Sequence, residues 1–519
     1  MKFSSFNPGS LGSLVAAVPV AGLLLMVSAG ASAQDALSDA GPRRTVSIVP
    51  RLSITETVTD NVHLSNGNQQ AEQITEVSPG IRIISDGARL KAYLDYSVNE
   101  VVYGKNEAPG QTQHALTSFG TLEAVDNWAY LDFGGSISQQ RISAFGTPSG
   151  DNTSINPNRT EVSSYRLSPY LRGRWGDVAN YEARISRVIT SNDALGTSNL
   201  TTDDGVIHIS GATAFRNLGW SADASRQSIE YSAGRSTDAD QLSLGLTFVV
   251  TPQLSVQANA GNEANNYTDV GKESYRTSSL GVNWSPSEMT TLSAIQGHRS
   301  FGSTHSVSFG HRTARTMWKF SDTKGILETP GPTGIASLGA VYGLLYSQFA
   351  ALESDPKARA QLVDAFLQTH GIDPTAAETS GFLTSAVSLQ RRQDLLFALL
   401  GVRDVVTFMA SRSEISRLDT ISTAVDDFNT SALVRQRGFS VNYAHRLTPD
   451  YSIGLLASQQ NTAGAASEQD TSLRVFNVHI SGKVHRRATM AVGLRRVVFE
   501  SATAPYDETA FIANLTVQF

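Results

Sequence analysis

Phe511-Ile512-Ala513-Asn514-Leu515-Thr516-Val517-Gln518-Phe519 closes the chain. Phe511, Ala513, Leu515, Val517 and Phe519 are apolar, and Asn514, Thr516 and Gln518 between them are polar. Successive strand side chains point to opposite faces, so this is a strand with one greasy and one wet side. The greasy side ends on a terminal aromatic. An ordinary buried last strand would show the same alternation, and the rest of the chain decides between the two readings.

The pattern recurs from about Val46 onward. Leu90, Ala92, Leu94, Tyr96 and Val98 alternate with Lys91, Tyr93, Asp95 and Ser97. Leu242, Leu244, Leu246, Phe248 and Val250 form another such row, as do Leu254, Val256, Ala258 and Ala260. Each segment is weak alone, and the repetition is what counts. Short turns at Asp86-Gly87, Asp126-Asn127, Trp175-Gly176-Asp177, Thr251-Pro252, Ser285-Pro286 and Thr448-Pro449-Asp450 alternate with longer polar links such as 60–73, 143–162 and 191–204. A membrane barrel has this asymmetry between its two rims.

Residues 1–33 read as a secretory signal peptide: Lys2, an apolar run from Leu11 to Val27, then the small-residue site Ala31-Ser32-Ala33. Removing Lys2 from the 41 basic residues leaves 40 against 47 acidic ones, so the mature chain is mildly acidic. No basic stripe with interleaved aromatics points to nucleic acid. The chain has 0 Cys, which excludes disulfides, thiolate metal sites and Cys nucleophiles. Past the signal no apolar run reaches the roughly 20 residues of a membrane helix, and the only other spanning structure is a closed barrel. A mean hydropathy of -0.16 suits a barrel, half of whose strand residues face the lumen.

The sequence therefore predicts an all-β, transmembrane antiparallel β-barrel of 20–22 strands in the cell outer membrane. A short segment, 34–45, precedes barrel residues 46–321; a helical insertion occupies 322–388, and 389–519 complete the barrel. Within the insertion, Asp355-Pro356 is a helix start, with Leu362, Val363, Phe366 and Leu367 at helical spacing and Gly371 as the cap. Gly401 splits 389–413 into a hairpin, and three strands fit between Met289 and Ser321; together they give 22, the preferred even count. That count puts the insertion outside the cell or in the mouth; reading 389–400 as a helix gives 20 and puts it in the periplasm.

The final strand resembles the last strand of Gram-negative outer-membrane barrels. That resemblance implies an assembly signal carried by Phe511, Leu515, Val517 and Phe519, with lipid and the barrel-assembly machinery as partners. The opening phrase Leu52-Ser53-Ile54-Thr55-Glu56-Thr57-Val58-Thr59-Asp60-Asn61-Val62 resembles the first strand of the outer-membrane β-barrel family associated with PEP-CTERM/exopolysaccharide systems. The likeness continues at His311-Arg312-Thr313-Ala314-Arg315-Thr316-Met317-Trp318 and Leu389-Gln390-Arg391-Arg392-Gln393, and so covers most of the mature chain. It implies a part in exopolysaccharide secretion or assembly alongside polysaccharide export components, and it carries over no catalytic residue.

No catalytic, cofactor or metal fingerprint is present, and isolated strand histidines such as His208 and His445 read as lumen or interfacial residues. Lys91, Asp95, Arg172, Arg174, Arg184, Arg187, Arg495 and Arg496 lie in or beside strands. An Arg or Lys facing lipid at mid-depth costs roughly 2–4 kcal/mol, so these are expected to line the lumen or sit at a rim. Arg495 and Arg496 are neighbours and cannot both face inward. Lumen charges would serve a structural wall or a pore for an anionic or hydroxyl-rich solute. A diffusion porin, a structural surface barrel and an outer-membrane hydrolase remain alternatives, since one barrel hosts many activities.

Overall fold

The computed structural model describes residues 45–105, 108–194, 197–327, 363, 381–385, 387–419 and 426–519. The strands, in chain order, open with β1 (Val46–Thr59), β2 (Glu72–Asp86), β3 (Leu90–Tyr103), β4 (Gln111–Val125), β5 (Ala129–Arg141), β6 (Arg159–Trp175) and β7 (Ala179–Asn192). There follow β8 (Leu200–Ala212), β9 (Leu218–Tyr231), β10 (Thr237–Thr251), β11 (Leu254–Asn265), β12 (Glu273–Ser287), β13 (Thr290–Arg299), β14 (Gly302–Arg312) and β15 (Thr316–Ile326). The last are β16 (Ser388–Leu400), β17 (Asp404–Arg417), β18 (Leu433–Arg446), β19 (Tyr451–Ala463), β20 (Thr471–His485), β21 (Ala488–Ser501) and β22 (Tyr506–Gln518). Each pairs antiparallel with the next, and β1 pairs with β22, closing a 22-stranded sheet. Closure removes the two edges an open sheet would present to lipid.

The three strands between Met289 and the insertion, and the hairpin around Gly401, are both present, which settles the strand count at 22. The barrel boundaries at the insertion need correction. β15 runs on through Asp322 to Ile326, and β16 begins at Ser388. Asp322-Thr323-Lys324-Gly325 breaks the apolar alternation without breaking the ladder, which continues to Ile326↔Leu389. Past residue 327 the helical insertion is described only at Val363, which is helical and fully buried, and at 381–385 and 387; the rest of it lies outside the described residues.

Period-two alternation sorts lipid from lumen. On β10, Leu242, Leu244, Leu246 and Phe248 are 58%, 63%, 53% and 49% exposed. A soluble protein rarely presents so continuous an apolar surface; here it is the lipid-facing belt. On β22, Phe511, Leu515 and Phe519 are exposed on the outer face. Val517 shares their parity, while Asn514 bonds inward to Ser53 and Thr55 at 2.7 and 2.8 Å.

One rim carries only short connections, from 252–253 to 213–217, and β1 begins and β22 ends there. Asn127 and Gly176 take φ of 56° and 55° in two of these turns, the left-handed region that Asn and Gly tolerate. The turn expected at Ser285-Pro286 sits three residues later, at Glu288-Met289: Pro286 is inside β12, at a register shift between Trp284 and Ser287. A bulge needs no N–H there, so proline is accepted. The other rim carries the long connections, including 60–71, 142–158, 327–387 and 418–432. By the build of outer-membrane barrels the short rim is periplasmic and the long rim extracellular.

All 5 Trp of the chain, 128, 175, 220, 284 and 318, lie within a few residues of the short rim. Indole settles at the level of lipid headgroups, so these residues form an interfacial girdle. The barrel is a transmembrane barrel of the outer membrane.

Candidate functional site

The extracellular mouth is crossed by its own connections. Segment 142–158 is organised first by its own polar side chains. Asp151 Oδ1 accepts from the N–H groups of Thr153 and Ser154 at 3.0 and 2.9 Å, and Asn158 Oδ1 accepts from the Ser143 N–H at 2.9 Å. Asp and Asn favour such local turns. The shaped loop then docks on the strands around the β1–β22 seam. Tyr506 Oη donates to Pro148 O at 2.6 Å, Tyr103 Oη to Thr153 O at 2.8 Å, and Gln113 Nε2 to Asn152 O at 2.8 Å.

Beneath this contact Arg495 lies between Asp151 and Glu508, at 2.5 and 2.9 Å, with Thr59 Oγ1 donating to Glu508 at 2.9 Å. Arg495 and Glu508 are 4% and 1% exposed. The guanidinium and the Ser154 donors hold the Asp151 carboxyl well below its ordinary range against the opposing effect of burial.

The base of the same loop is held from across the barrel. Asp427, on the β17–β18 connection, accepts from Ser143 Oγ and the Ala144 N–H, both at 2.6 Å. β6 and β17 stand 11 places apart in a ring of 22, half the circumference. Burial raises the Asp427 carboxyl above its ordinary range, with the two donors opposing. Asp426 beside it accepts from the Ser385 N–H at 2.9 Å, Phe382 bridges to Arg141, and Phe382, Phe428, Ala144, Ile415 and Val434 form an apolar cluster. A third wall joins through Arg235, which meets Asp419 at 3.3 Å and the Tyr267 carbonyl at 3.0 Å. Connections from all round the ring thus make one septum.

The Thr57-to-Asn61 phrase seals the seam at its extracellular end. Asp60 Oδ1 accepts from the Thr509 N–H at 2.7 Å. Asn61 is 0% exposed; its Nδ2 donates to Ser65 O and Asp507 O, both at 2.8 Å. Asn61→Ala would leave the Asp507 carbonyl short of a donor, at a cost of about 1–3 kcal/mol. A lower midpoint for loss of the heat-modifiable folded form is expected, and an unchanged midpoint would contradict this role for Asn61.

The periplasmic half of the lumen carries a charged ladder. Asp95 sits between Arg51 and Arg82 at 2.6 and 2.9 Å. Arg172 lies 4.2 Å over the Tyr130 ring and Arg184 lies 3.9 Å over Tyr170, with Arg184 also 2.7 Å from Asp132. Lys91 and Arg174 are exposed at the short rim, Arg174 3.5 Å from Asp177. Arg187 shares the outer face with Ile185 and Ile189, and a bidentate pair with Asp203 at 2.6 Å, rather than a lumen position, accommodates its charge. Arg495 points inward into the septum, and Arg496 points outward to Asp507 and Thr509. His208 meets Asp223 and His445 meets Asp404, at 2.5 and 2.7 Å.

Sequence reasoning missed Asp151, Glu508, Asp427 and Arg235. The long link at 143–162 was visible, and the Asp and Asn within it signalled turns, but nothing local says where such a loop docks. Among the described residues no group of three or more His, Cys, Asp or Glu is placed to hold a metal ion.

No protein-family model and no curated protein matches the sequence. Solved structures of similar shape include the siderophore receptor PirA from Acinetobacter baumannii, at 8% identity over 91% of this chain and 80% of that one, TM-score 0.48. The FrpB iron transporter from Neisseria meningitidis gives 10% identity over 91% and 81%, TM-score 0.47. The alcaligin outer-membrane receptor FauA from Bordetella pertussis gives 10% over 91% and 76%, TM-score 0.39. At these values the likeness does not bear on what the lumen carries.

Proposed function

We propose that this protein is a gated, non-enzymatic outer-membrane conduit for a hydroxyl-rich solute, extracellular polysaccharide being the class that the sequence resemblance implies. The observation that carries the reading is the septum: connections that cross the mouth and are tied to opposite walls are what a gate requires. Gating rests on how it is held: Asp427 and Arg495 grip 142–158 at two places through charged groups, while the ties from Tyr506, Tyr103 and Gln113 are single hydrogen bonds to backbone carbonyls. The inner wall supports the solute class. Ser168 and Ser186 share a hydrogen bond of 2.5 Å, Thr190 donates to Ser164 at 3.1 Å, and Ser411, Ser413, Gln436, Ser440 and Asn442 face the same way on β17 and β18. Such groups donate and accept without charge, as a wall for sugar hydroxyls requires. The barrel-assembly machinery and polysaccharide export components are the proposed protein partners.

The test replaces 145–156 with a short Gly/Ser link and measures conductance in planar bilayers. A several-fold rise with the heat-modifiable form intact is expected. Unchanged conductance from a folded variant would remove the gate. Polymer export is read separately: strains lacking the protein should retain polymer in the periplasm, and normal secretion would remove the polysaccharide reading.

A further inference from the structure

The outer face of β15 to β18 carries a basic patch just below the extracellular rim. Register places Lys324 beside Arg391, Arg391 beside Glu414, and Glu414 beside Arg435; one row nearer mid-membrane, Asp322, Gln393, Arg412 and Arg437 follow each other across the same strands. These positions share parity with Trp318, Phe320, Leu395, Phe397, Phe408 and Phe439, and Trp318 and Phe439 are exposed apolar residues of the belt. The patch therefore faces the membrane, not the lumen. It holds five cations (Lys324, Arg391, Arg412, Arg435, Arg437) against two carboxylates (Asp322, Glu414).

Several outer-face cations elsewhere are paired with a carboxylate. Arg187 meets Asp203, Lys272 meets Asp240 and Arg474 meets Glu500, at 2.6, 2.6 and 3.2 Å. In the patch, Arg391 meets Asp322 at 2.9 Å and Arg412 meets Glu414 at 2.5 Å, which uses both carboxylates. Arg435 and Arg437 remain exposed, and Arg437 stands directly opposite Arg412. Like charges directly opposed across a ladder destabilise it, the more so where lipid lowers the dielectric. An anion seated among the three guanidinium groups would reverse the sign of that interaction. Planar guanidinium forks match phosphate oxygens two at a time.

The neighbours narrow the chemistry. Gln393 and Asn461 flank the guanidinium groups in the same row, and Gln459 lies one step below, all able to bond sugar hydroxyls. The tryptophan girdle marks the opposite, phospholipid leaflet, while this patch lies at the level of the outer leaflet's headgroups. We propose that Arg412, Arg435 and Arg437, with Lys324 and Arg391, form a docking site for the phosphorylated saccharide headgroup of an outer-leaflet glycolipid. The site is independent of what passes through the lumen.

The test uses the full-length folded barrel in detergent, titrated with lipid A bearing both phosphates and with the same lipid dephosphorylated, bound lipid being counted by native mass spectrometry. The wild type should hold the phosphorylated form about tenfold more tightly, and Arg435→Gln with Arg437→Gln should remove most of that difference, because two of the forks are gone. Arg187→Gln, whose charge is already paired, should leave it unchanged. Equal binding of the two lipids by the wild type would overturn the site, whatever the variants do. Phosphatidylglycerol binding as tightly as lipid A would overturn its assignment to a glycolipid.

Discussion

Leu246→Arg should destabilise the inserted barrel by roughly 2–4 kcal/mol, whereas Thr247→Arg should be close to neutral. Leu246 is 53% exposed on the lipid face of β10, between Leu244 and Phe248, and Thr247 points the other way, toward the lumen. The mid-strand position matters: a guanidinium there is too far from either interface to reach water without distorting the belt. Urea titration of the two variants in lipid vesicles reads the difference, as does the fraction of each that is heat-modifiable in cells. Equal effects would mean that the register of β10, and with it the assignment of faces, is wrong.

Arg495→Ala should cost about 3–5 kcal/mol, because it leaves Asp151 and Glu508 buried without their cation. Arg496→Ala, one residue away and 44% exposed at its side chain, should cost no more than about 1 kcal/mol. The larger loss should be partly recovered when Asp151→Asn and Glu508→Gln accompany Arg495→Met, since neutral partners tolerate burial that charged ones do not. The measurement is the unfolding midpoint of the folded form; a small loss for Arg495→Ala would show that the septum is held elsewhere. Acid should weaken the same point. The Asp151 carboxyl is held below its ordinary value of 3.8 in the folded state, so its stabilisation is present above that value. It is lost as pH falls through the lower, folded-state value.

What the sequence disclosed, and what it hid, divides by range. Alternation is a local signal, so Leu242 to Phe248 and the final strand were legible, and the adjacency of Arg495 and Arg496 alone required opposite faces. The count of 22 followed from Gly401 and the parity of the rims. Asp322 to Gly325 misled because a charged stretch resembles a loop, although strand residues near headgroups bear charge at little cost. The septum was hidden for another reason: Asp151 meets a residue 344 positions away and Asp427 one 284 away. Turn chemistry announces that a loop is shaped, but only the closed ring brings its partners within reach.

The placement of the tryptophans also makes the protein its own optical probe. Every indole sits at one rim, so intrinsic emission reports a single depth of the bilayer and is blind to the far side. A quencher carried by the inner leaflet would darken the whole signal, one confined to the opposite surface would leave it lit, and the direction of insertion could be followed by light alone.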